Sequence, residues 1–170
     1  MTYRGSVSTL KIGAAAFTAL AVVSLAVPRT AESQPAIALA AYSAPGTEGL
    51  TPALAAAYTA AYQQARRDGV PLRITSGRRS WAEQEQLWKQ GIAKYGSAAA
   101  ARRWVLPPSE STRVTGHAID VGPAAGGKWL AANGSRWGLC RAYANEWWHF
   151  ELLTTPGGTC PPPLPDASER

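Results

Sequence analysis

Ser111-Thr112-Arg113-Val114-Thr115-Gly116-His117-Ala118-Ile119-Asp120 is the stretch on which the reading of this chain turns. Residues 109–115 are polar and without a period, so they read as a loop, and His117 to Val121 reads as a short strand. A second piece, Glu146-Trp147-Trp148-His149, begins 26 residues past Asp120. The chain has two histidines, and each piece places one close to a carboxylate. Neutral imidazole and ionised carboxylate are usual ligands of a catalytic zinc, which also needs an open position for water and a nearby general base. Glu146, three residues before His149, is a candidate for that base.

Ser111, Gly116, Ala118 and Asp120 fit an S-x-H-x-x-G-x-A-x-D pattern, and Glu146, Trp148 and His149 fit E-x-W-H. Arg79, within Ser76-Gly77-Arg78-Arg79-Ser80, fits S-G-x-R-S. Three motifs in this order resemble the zinc D-Ala-D-Ala carboxypeptidases of VanX and VanY type, the LAS metallopeptidases, over roughly residues 50–155. The resemblance implies an α+β fold of hedgehog/DD-peptidase type, a zinc cofactor and a peptidoglycan stem peptide as partner. It implies Asp120 and His149 as metal ligands and Glu146 as the base that takes a proton from the metal-bound water. It further implies Arg79 at the developing oxyanion and Ser111 holding substrate. Gln84 matches a glutamine that the family often keeps after its arginine, and would face the cleft. The chain departs from the family at one ligand: the histidine of the first motif falls on Arg113, whose guanidinium has no lone pair for a metal.

His117 offers another reading, since His117, Asp120 and His149 would make a complete zinc triad. Gly116 and Ala118 fix a register that puts His117 at a position the family leaves variable. In an extended strand, His117 and Asp120 differ in parity and point to opposite faces. Two functions therefore stay open. In one, an exported cell-wall peptidase hydrolyses the D-Ala-D-Ala bond, or a nearby one, with zinc-activated water. In the other, a degenerate relative binds stem peptides uncut, with Arg113 placing its charge where zinc stood. Exo- or endopeptidase action depends on how closed the cleft is.

Length and composition frame these readings. The chain has 170 residues, enough for one domain with a real core. Residues 1–40 read as a signal peptide or N-terminal anchor. Arg4 and Lys11 give a basic start, and Ile12 to Val27 is an apolar run shorter than the ~20 residues of a spanning helix. Secretion, or residence in the envelope outside the cytoplasmic membrane, is expected, with membrane attachment only if this segment stays uncleaved. Cys140 and Cys160 are the two cysteines, and an oxidising compartment permits a bridge between them. It would close a loop containing Glu146 and His149 and stabilise the fold by ~3 kcal/mol. Net charge is +6, and leaving out residues 1–40 leaves 14 basic against 10 acidic residues, or +4. No run of Lys and Arg argues for nucleic acid. A monomer is expected.

Residues 41–50 read as the end of a linker rich in Ala, Pro, Ser and Gly, and the domain as residues 51–160. Thr51-Pro52 opens a helix whose buried face carries Leu54, Ala57, Tyr58, Ala61 and Tyr62, and Gly69 ends it. Val70 to Thr75 reads as a strand, and Ser80-Trp81-Ala82-Glu83 as a capping box. Trp81 and Trp88 on that second helix are expected in the core. A short helix over Ser97–Trp104 follows, then the strand at His117–Val121, a Gly/Pro turn, and a helix over Lys128–Asn133. Trp137–Tyr143 and Trp147–Leu153 read as a strand pair. The order predicts a small antiparallel sheet with helices packed to one side. Residues 161–170, a Pro-rich tail, are expected to be extended and unpacked.

Overall fold

The structure, a computed structural model, describes Thr2 and residues 42–170. The signal or anchor reading of residues 1–40 falls almost wholly outside the described residues. No helix among these is long and apolar enough to cross a membrane.

Local signals set the first elements. Helix α1 spans Pro52–Arg67, with the Thr51 side chain accepting from the Leu54 N–H and Pro52 in the first turn. Strand β1 (Arg73–Ser76) leads to helix α2 (Trp81–Tyr95), which opens with the expected Ser80–Glu83 capping box. Helix α3 (Ala98–Arg102), strand β2 (Ala118–Gly122) and helix α4 (Ala124–Asn133) follow. Strands β3 (Leu139–Arg141) and β4 (His149–Leu152) complete a four-stranded antiparallel sheet of order β1-β2-β4-β3.

Strand periodicity divides this sheet into an apolar and a polar face. Ile119 and Val121 of β2 and Phe150 of β4 meet Leu54, Tyr58, Ala61 and Ala65 of α1 and Leu130 of α4 in the main core. The alternate residues, Asp120 on β2 and His149 and Glu151 on β4, face the other way. The β2–β4 register pairs Asp120 with His149 and Ala118 with Glu151. This agrees with the α+β expectation and fixes two of the expected site residues side by side.

Four details correct the sequence reading. Residues 41–50 are not a plain linker: Ala44, Thr47 and Leu50 are buried, and the Ala44 N–H donates to Thr59 Oγ1 at 3.1 Å. Trp81 and Trp88 are not core. Trp81 is 58% exposed and Trp88 half-buried, because α2 buries only Gln84 and Gly91. Helix α4 begins at Ala124, inside the expected turn, and the strand expected from Trp137 begins only at Leu139, because Trp137 closes a 3-10 turn over Gly134–Trp137. The tail is packed. Leu164 pairs with Tyr143, Ala167 is buried, and a 3-10 turn spans Ala167–Glu169. Cys140 and Cys160 are bonded, with Cα atoms 5.6 Å apart.

Candidate functional site

The site is built on the polar face of β2 and β4. Asp120 Oδ1 lies 3.1 Å from His149 Nδ1. Glu146 sits one tight turn before β4, with its Oε2 3.8 Å from the same nitrogen. Among the described residues, Asp120, Glu146 and His149 form a cluster whose ligand atoms lie within 4.8 Å of one another. All three are buried.

The loop before β2 delivers Arg113 into this cluster. Its backbone is held by Val114 N–H to Ser111 O (3.0 Å) and His117 N–H to Thr112 O (2.9 Å), and Arg113 O accepts the Arg79 N–H at 3.0 Å. Gly116 closes the loop at φ +72°, where a side chain is strained. A Cβ there would stand 2.5 Å from the Gly49 carbonyl oxygen. So held, the Arg113 Nε donates to Asp120 Oδ2 at 3.0 Å. Its Nη2 donates to both Asp120 Oδ1 and Glu146 Oε2, the latter at 3.2 Å. Arg79 reaches the same carboxylate from the S-G-R-R-S segment, its Nη2 3.3 Å from Asp120 Oδ2. Ser76 Oγ accepts from Arg79 Nε and Nη2, and Gln84 Oε1 accepts from Nη1 at 3.1 Å.

The remaining expected residues stand further back. Gln84 does not line the cleft; it is buried, donates to Leu106 O at 2.7 Å and orients Arg79. Ser111 is buried in the turn that carries Arg113 and does not line the cleft either. His117 is exposed, its Nδ1 2.9 Å from Thr115 Oγ1, outside the cluster. It precedes β2, so strand parity does not set its direction, and its place outside the cluster agrees with the register of Gly116 and Ala118.

Behind His149 stand Glu151, Tyr143 and Arg170, none of which the motifs single out. His149 Nε2 lies 2.8 Å from Glu151 Oε1. Glu151 also accepts from Thr112 Oγ1 and, through both oxygens, from Arg170. The Tyr143 ring stacks on His149 at 5.0 Å. Glu151 was findable, being two residues past His149 and so on the same strand face. Arg170 carries no local signal.

Attraction and repulsion both act among the charges of the site. Burial pushes the Asp120 carboxyl up, but the His149 hydrogen bond and the Arg113 guanidinium outweigh it, so its pKa lies below the ordinary aspartate value. Burial likewise opposes the Arg113 charge, and Asp120 and Glu146 more than restore it. Burial and the neighbouring Arg113 charge depress the Arg79 pKa against the pull of Asp120 and Glu146. Arg113 stays protonated at any accessible pH.

These contacts test the fit to zinc, and the residues do not fit it. Both Asp120 oxygens are engaged, Oδ1 by Arg113 and His149, Oδ2 by Arg113 and Arg79. A fixed cation, 11% exposed, stands between Asp120 and Glu146 and repels a second one. A catalytic zinc usually takes three protein ligands, and outside Glu146 the cluster supplies two. The arrangement instead presents two guanidinium groups to a cleft of about 280 Å³, lined also by Trp148, Leu87 and Trp104. Among the described residues nothing engages Arg113 Nη1, so its N–H groups remain for a ligand oxygen. Paired guanidinium N–H groups suit a carboxylate.

Comparison with known proteins agrees with this architecture. The sequence profile of the family described as "VanY: D-alanyl-D-alanine carboxypeptidase" matches residues 47–153. A D-alanyl-D-alanine carboxypeptidase of Enterococcus faecalis is 27% identical, over 54% of this chain and 44% of its own length. The chain thus spans less than half of that curated relative. Among solved structures, a mutant of the vancomycin-resistance D,D-pentapeptidase VanY in complex with Zn(II) is 25% identical, with a TM-score of 0.56. The match covers 64% of this chain and 73% of that one. The LD-carboxypeptidase LdcB is 25% identical with a TM-score of 0.53, over 60% of this chain and 58% of its own. The profile spans well over half of the chain and every motif of the site, and the chain belongs to the VanY family of D-alanyl-D-alanine carboxypeptidases.

Proposed function

We propose that this chain binds the D-alanyl end of peptidoglycan stem peptides, outside the cytoplasmic membrane, without hydrolysing them by zinc chemistry. Family membership supports the ligand class and the peptidoglycan setting. The observation that carries the rest is Arg113, whose guanidinium bridges Asp120 and Glu146 at the centre of the cleft. In this reading Arg113 and Arg79 receive the peptide's terminal carboxylate or its carbonyl oxygens. Leu87, Trp104 and Trp148 cover its apolar groups.

A second reading, cleavage of the same peptides, is favoured by the closeness of Asp120, Glu146 and His149. There Glu146 is the base and Arg79 faces the oxyanion. Calorimetry with an acetylated tripeptide ending in D-alanyl-D-alanine separates the two. The binding reading expects saturable heat that persists in EDTA, a much weaker response to the L-alanyl-L-alanine isomer, and no free D-alanine after overnight incubation with zinc. Release of D-alanine overturns it in favour of the second reading, and no binding of either isomer overturns both.

A further inference from the structure

We infer that Arg170, from the C-terminal tail, is a positioning residue of the cleft: it holds Glu151, which orients His149, which through Asp120 sets Arg113. The inference rests on the binding reading only in that the ladder ends on a guanidinium offered to the ligand.

Polar contacts run along a continuous path. Arg170 Nη1 donates to Glu151 Oε1 at 2.7 Å, and Glu151 Oε1 lies 2.8 Å from His149 Nε2. His149 Nδ1 lies 3.1 Å from Asp120 Oδ1, and Arg113 Nε donates to Asp120 Oδ2 at 3.0 Å. Each inner member is buried, Glu151 at 4% exposure, Asp120 at 6% and His149 at 0%. A buried carboxylate without partners is strongly unfavourable, so the orientation of each rung depends on the next. Arg170 is the outermost rung, 32% exposed, and it is itself held in place. Tyr143 Oη accepts from its Nη1 at 2.7 Å. Leu164 exchanges backbone hydrogen bonds with Ala142 and Ala144, and Asp166 pairs with Arg103 at 2.8 Å. The tail therefore docks on the loop that carries Glu146 and inserts its arginine behind His149.

The two histidines make this readable in one experiment on the full chain. Ring ¹⁵N resonances of His149 report which nitrogen carries hydrogen, and exposed His117 gives an internal control in the same spectrum. Arg170→Ala is expected to move the His149 ring resonances and leave those of His117. It should also weaken binding of the D-alanyl-D-alanine tripeptide about tenfold, the order of effect of losing one hydrogen bond to a charged group. Arg170→Lys should restore part of both effects. Should Arg170→Ala fail to fold, Arg170→Gln carries the same expectation. His149 resonances unchanged in a folded Ala or Gln variant overturn the inference. If native protein does not bind the tripeptide, the proposed function fails, while the His149 resonances still decide the role of Arg170.

Discussion

Arg113→Ala isolates the ion cluster. In the native chain the Arg113 side chain is 11% exposed, facing Asp120 at 8% and Glu146 at 2%. Removing the guanidinium strips two buried carboxylates unequally. Asp120 keeps Arg79 at 3.3 Å and His149 at 3.1 Å, whereas Glu146 keeps, among the described residues, only the His149 ring at 3.8 Å. Loss of one partner of a buried ion pair costs about 3–5 kcal/mol, and continued pairing of Asp120 points to the lower end, ~3 kcal/mol. Urea unfolding at pH 7, followed by tryptophan fluorescence, should show it. With a slope of ~1.5–2 kcal/mol/M, the midpoint falls by about 1.5–2 M. Adding Glu146→Gln in the Arg113→Ala background removes the unpaired charge, so the double variant should be more stable than Arg113→Ala alone, by at least ~1 kcal/mol. A loss below ~0.5 kcal/mol for Arg113→Ala would mean that the guanidinium does not compensate buried charge.

Three further outcomes follow from other parts of the fold. Gly116→Ala places a Cβ 2.5 Å from the Gly49 carbonyl oxygen at φ +72°, and should lower stability by at least ~2 kcal/mol in thermal or urea melts. Reducing Cys140–Cys160, which closes a 20-residue separation, should cost about 3 kcal/mol, and unlinked peptides in unreduced mass spectra would contradict the bridge. The Asp166 carboxyl is held below its ordinary value of 3.8 by hydrogen bonds from Ser168 and Arg103. Its folded pKa is thus depressed, so its contribution is complete above about pH 4 and is lost as pH falls further. Asp166→Asn should flatten the pH dependence of stability in that acid range, and an unchanged slope would count against the tail's docking.

What could be read in the sequence was what is encoded locally. Thr51-Pro52 and Ser80–Glu83 are caps whose partners lie within three residues, so α1 and α2 start where expected. The period of two in β2 set Asp120 apart from the core residues Ile119 and Val121, and the β2–β4 register placed His149 beside it; His117 lies in the loop ahead of β2 and is exposed. Long-range packing decided the rest. Trp81 looked like core because apolar helical spacing normally marks a buried face, yet α2 borders the cleft and packs through Gln84 and Gly91. Gln84 looked like a cleft residue, but its amide spans Arg79 and Leu106 O, 22 residues away. The proline-rich tail looked unpacked because proline withholds N–H groups, but Leu164 still exchanges two backbone hydrogen bonds with the 142–144 segment. Arg170 reaches Glu151 across 19 residues, a pairing that no local pattern announces.

In the binding reading, Arg113 stands where the family's zinc would be held. Zinc content of native protein and of Arg113→His, each dialysed against excess zinc and then against metal-free buffer, tests it most directly. The substitution replaces a guanidinium at the cluster with an imidazole that can donate a lone pair. Native protein should retain much less than one zinc per chain, and Arg113→His close to one. One tightly held zinc per native chain would contradict it.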